Sequence, residues 1–323
     1  MSEEITIKRF RNNPLLEPGA ADWMKKNIFN CGVIFDDDDN LFKMLFRGAH
    51  TKDQSKSSCG LAISSTGMKW YMTNEPVLQT GFNDYCELGI EDPRIVKWID
   101  GYKYVFATAS SPAGSRLGIW KTKNFIEYEW VGIPFNQEDK DAAILSEPIE
   151  EWVYILHRRG SHIWISRTRD MTLKNGWQDS QILSKKEDWY SLSDIPPDCE
   201  KFIAKIGIAG PPLKTPKGWL VITHVVHRWD FNKPYENTYL MNRMYSLGFM
   251  VLDLKDPTRI NYIHPSRILL PEMKEEIGGI VPNVVFSCAT IDAGDDLIYI
   301  YWGGADTVVC GGSLSKDNLP MCY

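Results

Sequence analysis

A short apolar strand followed by a polar turn recurs five times along this chain, and the recurrence restricts the fold more than any single motif does. The segments are residues 60–70, 118–130, 163–170 with Trp177 beyond, 248–256 and 312–317. Each turns at Asp, Asn or Gly, and three carry an aromatic residue a few positions on. They start roughly sixty residues apart on average, a spacing of the kind seen in propeller blades and arrays. Five weakly similar all-β units predict one domain over residues 1–323, a five-bladed β-propeller. Such a ring sends loops from every blade to one mouth of its central channel. Site residues should then be scattered along the whole sequence.

Composition narrows the partners. The 12 Trp, 14 Tyr and 13 Phe suit strands and blade cores, and also offer flat faces to sugar C–H groups. A net charge of −6 without a basic block argues against nucleic acid. Seven cysteines with no C-x-x-C pair argue against a disulfide framework or zinc ribbon and fit a reducing compartment. No apolar run approaches the roughly 18 residues of a membrane span. The opening residues lack the apolar stretch of a secretory signal, so the expectation is a cytoplasmic protein away from membranes.

Strand patterns dominate, among them residues 105–109, 152–157, 218–227 and 297–302. Helical periodicity is confined to residues 17–26. The acidic run Asp36 to Asp39 lacks the ligand alternation of a calcium loop and reads as a solvated hairpin turn. Two stretches break the rhythm and read as long loops, 178–203 and 228–245. The second holds three Tyr and a Trp, suited to a carbohydrate contact or to a homo-oligomer interface.

The sharpest motif is Glu91-Asp92-Pro93-Arg94. Strand alternation would send Glu91 and Asp92 to opposite faces, with Arg94 on the face of Asp92. Pro93 should hold Asp92 extended. Further motifs follow in successive blades: Asp139-Lys140-Asp141 running to Glu147, Leu156-His157-Arg158, residues 205–214 from Lys205, Ile222-Thr223-His224, residues 281–286, and residues 302–309 around Asp306.

Taken in order, this series resembles glycoside hydrolase family 130, the β-mannoside phosphorylases and related β-mannosidases. The resemblance implies a five-bladed propeller with its site at the central mouth. It implies Asp92 as proton donor, acting through the mannosyl 3-hydroxyl, while inorganic phosphate attacks the anomeric carbon from the other side. The products are then α-mannose 1-phosphate and an acceptor sugar. Arg47, Lys140, Arg158, His224 and Tyr245 match phosphate-side positions. Asn30, Arg94, Asp141, Lys205 and Asp306 match positions on the substrate side. Phosphate is a co-substrate, and the chemistry calls for no metal and no organic cofactor. Asn30-Cys31-Gly32 and Leu145-Ser146-Glu147 depart from the family pattern.

Two alternatives remain at this level. A β-mannosidase of the same family would need a second carboxylate as base, for which Glu147 and Asp141 are the candidates. A non-catalytic glycan-binding propeller would tolerate loss of the Asp92 carboxyl.

Overall fold

Turns of a few residues join most consecutive strands, and such short connections force neighbours to pair antiparallel. The computed structural model describes residues 5–50, 56–189, 200–230 and 243–320. They form five sheets, each built almost wholly from strands consecutive in sequence. From the inside outwards, blade one is Asn27–Asp36, Leu41–Ala49, Ser58–Ser64 and Tyr71–Leu78. Blade two is Gly89–Lys97, Lys103–Ser111, Gly114–Thr122 and Glu129–Gly132. Blade three is Lys140–Ile144, Val153–Arg159, His162–Thr168 and Gln178–Ser184. Blade four is Glu200–Ile208, Gly218–Asp230, Arg243–Leu252 and Ile260–Ile263, with the short Leu213–Thr215 paired to its second strand. Blade five is Val285–Asp292, Leu297–Gly304 and Val308–Ser315. The early strand Lys8–Arg9 completes it, pairing Lys8 with Ser313.

The fold is thus the expected five-bladed all-β propeller. The five recurring segments lie on the third strand of each blade, and the four strand patterns at 105–109, 152–157, 218–227 and 297–302 lie on second strands. Trp120, Trp219 and Trp302 are fully buried, each in a cluster shared by neighbouring blades. Trp219 shares a cluster with Val96, Ile144 and Ile165, so one core spans blades two to four. Each large apolar side chain buried this way contributes about 1.5–3 kcal/mol.

Three expectations are corrected. Residues 17–26 form no α-helix; only Asp22–Met24 makes a 3₁₀ turn. Asp36 is not solvated: it is buried and bonded to Lys43 (3.0 Å) and Lys103 (2.9 Å), which ties blade one to blade two. The stretches 178–203 and 228–245 begin and end as strand, because Gln178–Ser184, Glu200–Ile208, Gly218–Asp230 and Arg243–Leu252 all run into them. Residues 190–199 and 231–242 lie outside the described residues. No helix among the described residues is long and apolar enough to cross a membrane.

Closure of the ring rests on a buried carboxylate. Glu276 accepts from Arg9 Nε (2.9 Å) and Nη2 (2.8 Å), from Trp302 Nε1 (3.1 Å), and from the backbone of Glu272 and Met273. Replacing it by Ala leaves the buried Trp302 N–H without its acceptor and reduces the partners of Arg9 to Glu272 (3.0 Å) and the Leu270 carbonyl. Glu276→Ala should therefore cost about 3–5 kcal/mol in urea unfolding, and a loss under about 1 kcal/mol, the range of exposed pairs, would show that the clasp is not what holds the ring shut.

Candidate active site

The inner strands are where the backbone departs from regular β structure. In all five blades the inner ladder slips once: between Phe29 and Gly32, Glu91 and Arg94, Lys140 and Ala143, Ile203 and Lys205, and Ser287 and Ala289. Each slip is a bulge, which re-aims side chains and ends simple alternation. Asn30, Asp92 and Asp141 sit in three of these bulges with φ of 45°, 55° and 49°. Asp306, in the turn after the second strand of blade five, has φ of 51°. Asn and Asp are the residues that bear this left-handed conformation at least cost after Gly.

The bulges overturn two local expectations. Asp92 is left-handed rather than extended, despite Pro93. Glu91 and Asp92 also reach the same partner. Arg47 lies 3.5 Å from Glu91 Oε1 through Nη2 and 3.1 Å from Asp92 Oδ1 through Nη1.

Together these residues line a cavity of about 240 Å³ at the centre of the ring. Every blade contributes: Asn30 and Arg47, then Asp92, then Lys140, Asp141 and Arg158, then Lys205, Arg243 and Tyr245, then Phe286 and Asp306. Five cationic side chains (Arg47, Lys140, Arg158, Lys205, Arg243) face three carboxylates (Asp92, Asp141, Asp306), an excess of two positive charges. Tyr245, Val281, Val284 and Phe286 add an apolar wall. Asp92 Oδ1 accepts from Asn30 Nδ2 (2.9 Å) and from Arg47 Nη1. Asn30 Oδ1 and Arg47 Nε are buried without a hydrogen-bond partner among the described residues. A Cβ at Gly303 would collide with Asn30 Oδ1, so the close approach of blades five and one requires glycine there.

Asp141 organises the cationic side. Its Oδ2 accepts from Arg158 Nε (2.5 Å), its Oδ1 lies 3.5 Å from Arg94 Nη2, and His224 Nε2 is 3.4 Å from Oδ2. The His224 contact is close enough for charge interaction but poorly aligned, and neither ring nitrogen has a hydrogen-bond partner among the described residues. Burial opposes ionisation of Asp141, yet the guanidiniums of Arg158 and Arg94 hold its carboxyl far below the usual carboxylate range. Burial pushes His224 down to about 3, so its imidazole is neutral. Burial, and then Arg158, lower Lys205 to about 8.

A family model described as beta-1,4-mannooligosaccharide phosphorylase of glycoside hydrolase family 130 matches residues 6–320. The 1,2-beta-oligomannan phosphorylase of Thermoanaerobacter sp. (strain X514) is 35% identical over 94% of this chain and 96% of its own length. The Beta-1,2-mannobiose phosphorylase of the same organism is 32% identical over 97% and 98%. The solved structure of Beta-1,2-Mannobiose phosphorylase from Listeria innocua superposes with a TM-score of 0.77 at 24% identity, covering 96% of this chain and 97% of that one. The chain belongs to glycoside hydrolase family 130.

Of the positions matched to family 130 from sequence, Asn30, Arg47, Asp92, Lys140, Asp141, Arg158, Lys205, Tyr245 and Asp306 line the one cavity. Arg94 and His224 do not. Arg94 is buried behind the wall, donating to the carbonyls of Ala209 (2.6 Å), Asp92 (3.0 Å) and Ile208 (3.1 Å). Those bonds leave it a strut between blades two and four. His224 is fully buried behind Asp141, packed 4.7 Å from the Phe286 ring. Arg243 is a lining residue that sequence reasoning did not select, and Val281, Val284 and Phe286 lie in the 281–286 motif without having been given a role. Strand period was the available signal, since Arg243 stands two residues before Tyr245, and Phe286 two after Val284.

A cavity with excess positive charge and unspent donors can hold an oxyanion. Because Lys205 carries its charge below about 8 and loses it above, affinity for sulfate should fall as pH rises through that value. Sulfate keeps its own charge over that range, so titration calorimetry on either side of it isolates the lysine. Lys205→Met should bind weakly at both ends, and an unchanged wild-type affinity would rule out Lys205 as a contributor.

Proposed function

We propose that the protein is an inverting β-mannoside phosphorylase that cleaves β-1,2-linked manno-oligosaccharides with inorganic phosphate. The observation that carries this reading is the charge of the cavity: five cationic side chains line it together with the carboxyl of Asp92. The linkage follows the two relatives at 35% and 32% identity, both named for β-1,2 linkages.

The reaction assigns each wall a task. Asn30 and Arg47 fix Asp92 through Oδ1, which leaves Oδ2 to carry the transferred proton. That proton passes by way of the mannosyl 3-hydroxyl to the glycosidic oxygen. As the bond from C1 to that oxygen breaks, a phosphate oxygen bonds to C1 from the opposite face. The products are α-mannose 1-phosphate and the acceptor sugar, which leaves with the proton. Arg158, Lys140, Lys205 and Arg243 neutralise and orient phosphate, where guanidinium forks suit its oxygens. Asn30 and Asp306 bind mannosyl hydroxyls, and the wall of Tyr245, Val281, Val284 and Phe286 receives the sugar's C–H face. Phosphate brings its own negative charge, so no protein base is needed. A sugar phosphate product suits an enzyme working inside the cell.

A hydrolase would need a base to activate water. Asp141 is spent on Arg158 and Arg94 and held far below the range in which it could take up a proton. Glu147 is half-exposed, paired with Lys214, and outside the cavity lining. Neither carboxylate is placed for that work.

Incubation with β-1,2- and β-1,4-mannobiose, each with and without phosphate, tests the reading. Mannose 1-phosphate should form only with phosphate, and faster from the β-1,2 isomer. Free mannose released equally in all tubes would sink it. Asp92→Asn should lower kcat about 10²–10⁴-fold while phosphate binding persists.

A further inference from the structure

Behind the cationic wall lies a buried hydrogen-bonded chain that the proposed chemistry does not use. Asp139 Oδ2 is 2.8 Å from His157 Nδ1, and His157 Nε2 is 2.8 Å from Ser166 Oγ. Ser166 Oγ is in turn 2.7 Å from Ser180 Oγ. Arg159 Nη2 also donates to Asp139 Oδ2 (3.3 Å). The Phe135 ring stacks on the imidazole with centroids 4.4 Å apart. The order of groups is that of a serine hydrolase triad. Yet Asp139, His157 and Ser166 are all about 1% exposed or less, so no substrate carbonyl can reach the hydroxyl. The chain must act through what it holds.

It holds the two neighbours of the cradle. Lys140 and Arg158 are direct partners across the first strand pair of blade three, and both line the cavity. His157 is one residue before Arg158 on the second strand, facing the other way, and Asp139 immediately precedes the first strand at Lys140. The ladder gives Lys140 little support. Its strand, Lys140–Ile144, is short and begins at that residue. The ladder then slips at once, and the next paired residue is Ala143. On the N-terminal side of Lys140, Asp139 is tied to the second strand by His157 (2.8 Å) and, at longer range, by Arg159 (3.3 Å), so the shorter His157 bond is the main one that fixes its position against Arg158.

We propose that His157 and Asp139 are positioning residues for the phosphate-binding half of the site, acting through the Nδ1–carboxylate bond. This rests on the phosphorylase reading above. The bond pins the start of the inner strand to the second strand, so that Lys140 and Arg158 present their charges at a fixed separation. The link from Nε2 to Ser166 and Ser180 keeps the ring upright and makes no direct tie to the cradle.

Two substitutions at one position separate these roles. The amide nitrogen of Asn falls near the place of Nδ1, whereas that of Gln falls near Nε2. His157→Asn can keep the bond to Asp139, and His157→Gln can keep only the bond to Ser166. His157→Gln should raise KM for phosphate about tenfold or more, the scale of a displaced positioning group, with KM for the mannoside little changed. His157→Asn should stay close to wild type in KM for phosphate, as should Ser166→Ala. Direct titration of each resting protein with inorganic phosphate should give the same order, and thermal melting shows which variants are folded. Should His157→Gln fail to fold, Asp139→Asn weakens the same bond while keeping its shape, and should move KM for phosphate in the same direction. Equal effects of Asn and Gln, or parallel changes in both KM values, overturn the positioning role and leave the phosphorylase reading intact. A wild-type protein that neither binds phosphate nor depends on it removes both.

Discussion

Four residues of the cavity wall hold left-handed backbone angles, and the chemistry of the site depends on them. Asn30, Asp92, Asp141 and Asp306 all have φ between 45° and 55°. Such conformations cost of order 1–3 kcal/mol each for ordinary residues, less for Asn and Asp. What the strain achieves is density of function. A regular strand delivers every second side chain to one face. At the bulges two consecutive residues reach the same space, so Glu91 and Asp92 both meet Arg47, and Lys140 and Asp141 both line the cavity. Packing between blades supplies the energy that keeps these bulges from relaxing.

The bulge at Asp92 is also held from behind. Arg94 donates to the Asp92 carbonyl and, with the same guanidinium, to carbonyls of Ile208 and Ala209 in blade four. Its remaining reach goes to Asp141. Acid side and cationic side are therefore joined through one buried side chain. Asp141 completes the link, since it orients Arg158 and offsets the charge that Arg94 and Arg158 would otherwise leave uncompensated. The remaining cations of the wall, Lys140 and Lys205 among them, line the cavity beside this buried link.

Much of this was legible in the sequence, and the rest was hidden for definable reasons. The five recurring segments gave the blade count because third strands sit in equivalent surroundings in every blade. The scatter of Asn30, Arg47, Asp92, Arg158, Lys205 and Asp306 along the chain followed from the ring. Backbone handedness did not, since Pro93 argues locally for an extended Asp92 and only the bulge overrides it. Nor did the depth of a residue behind the wall. Arg94 and His224 stand in motifs beside true lining residues, and no spacing rule separates a side chain in the cavity from one a layer below. The 3₁₀ turn at Asp22–Met24 shows the same limit, because ten residues of weak helical pattern could not prevail over the docking of Met24 into the blade-one core.

A site assembled from five blades is only as well defined as the ring that carries them. Each wall belongs to a different sheet, so a small opening between blades five and one would separate Asp306 from Asn30 and Arg47. The clasp of Arg9 on Glu276 holds the early strand in blade five, and Glu276 also holds Trp302, two residues from Gly304 at the base of the Asp306 turn. Gly303 packs so closely on Asn30 that a single methyl group would push the two blades apart. Ring closure and substrate geometry are thus one constraint. The early strand that completes blade five helps to set the distance between Asp306 and Asp92, although it contributes no side chain to the cavity.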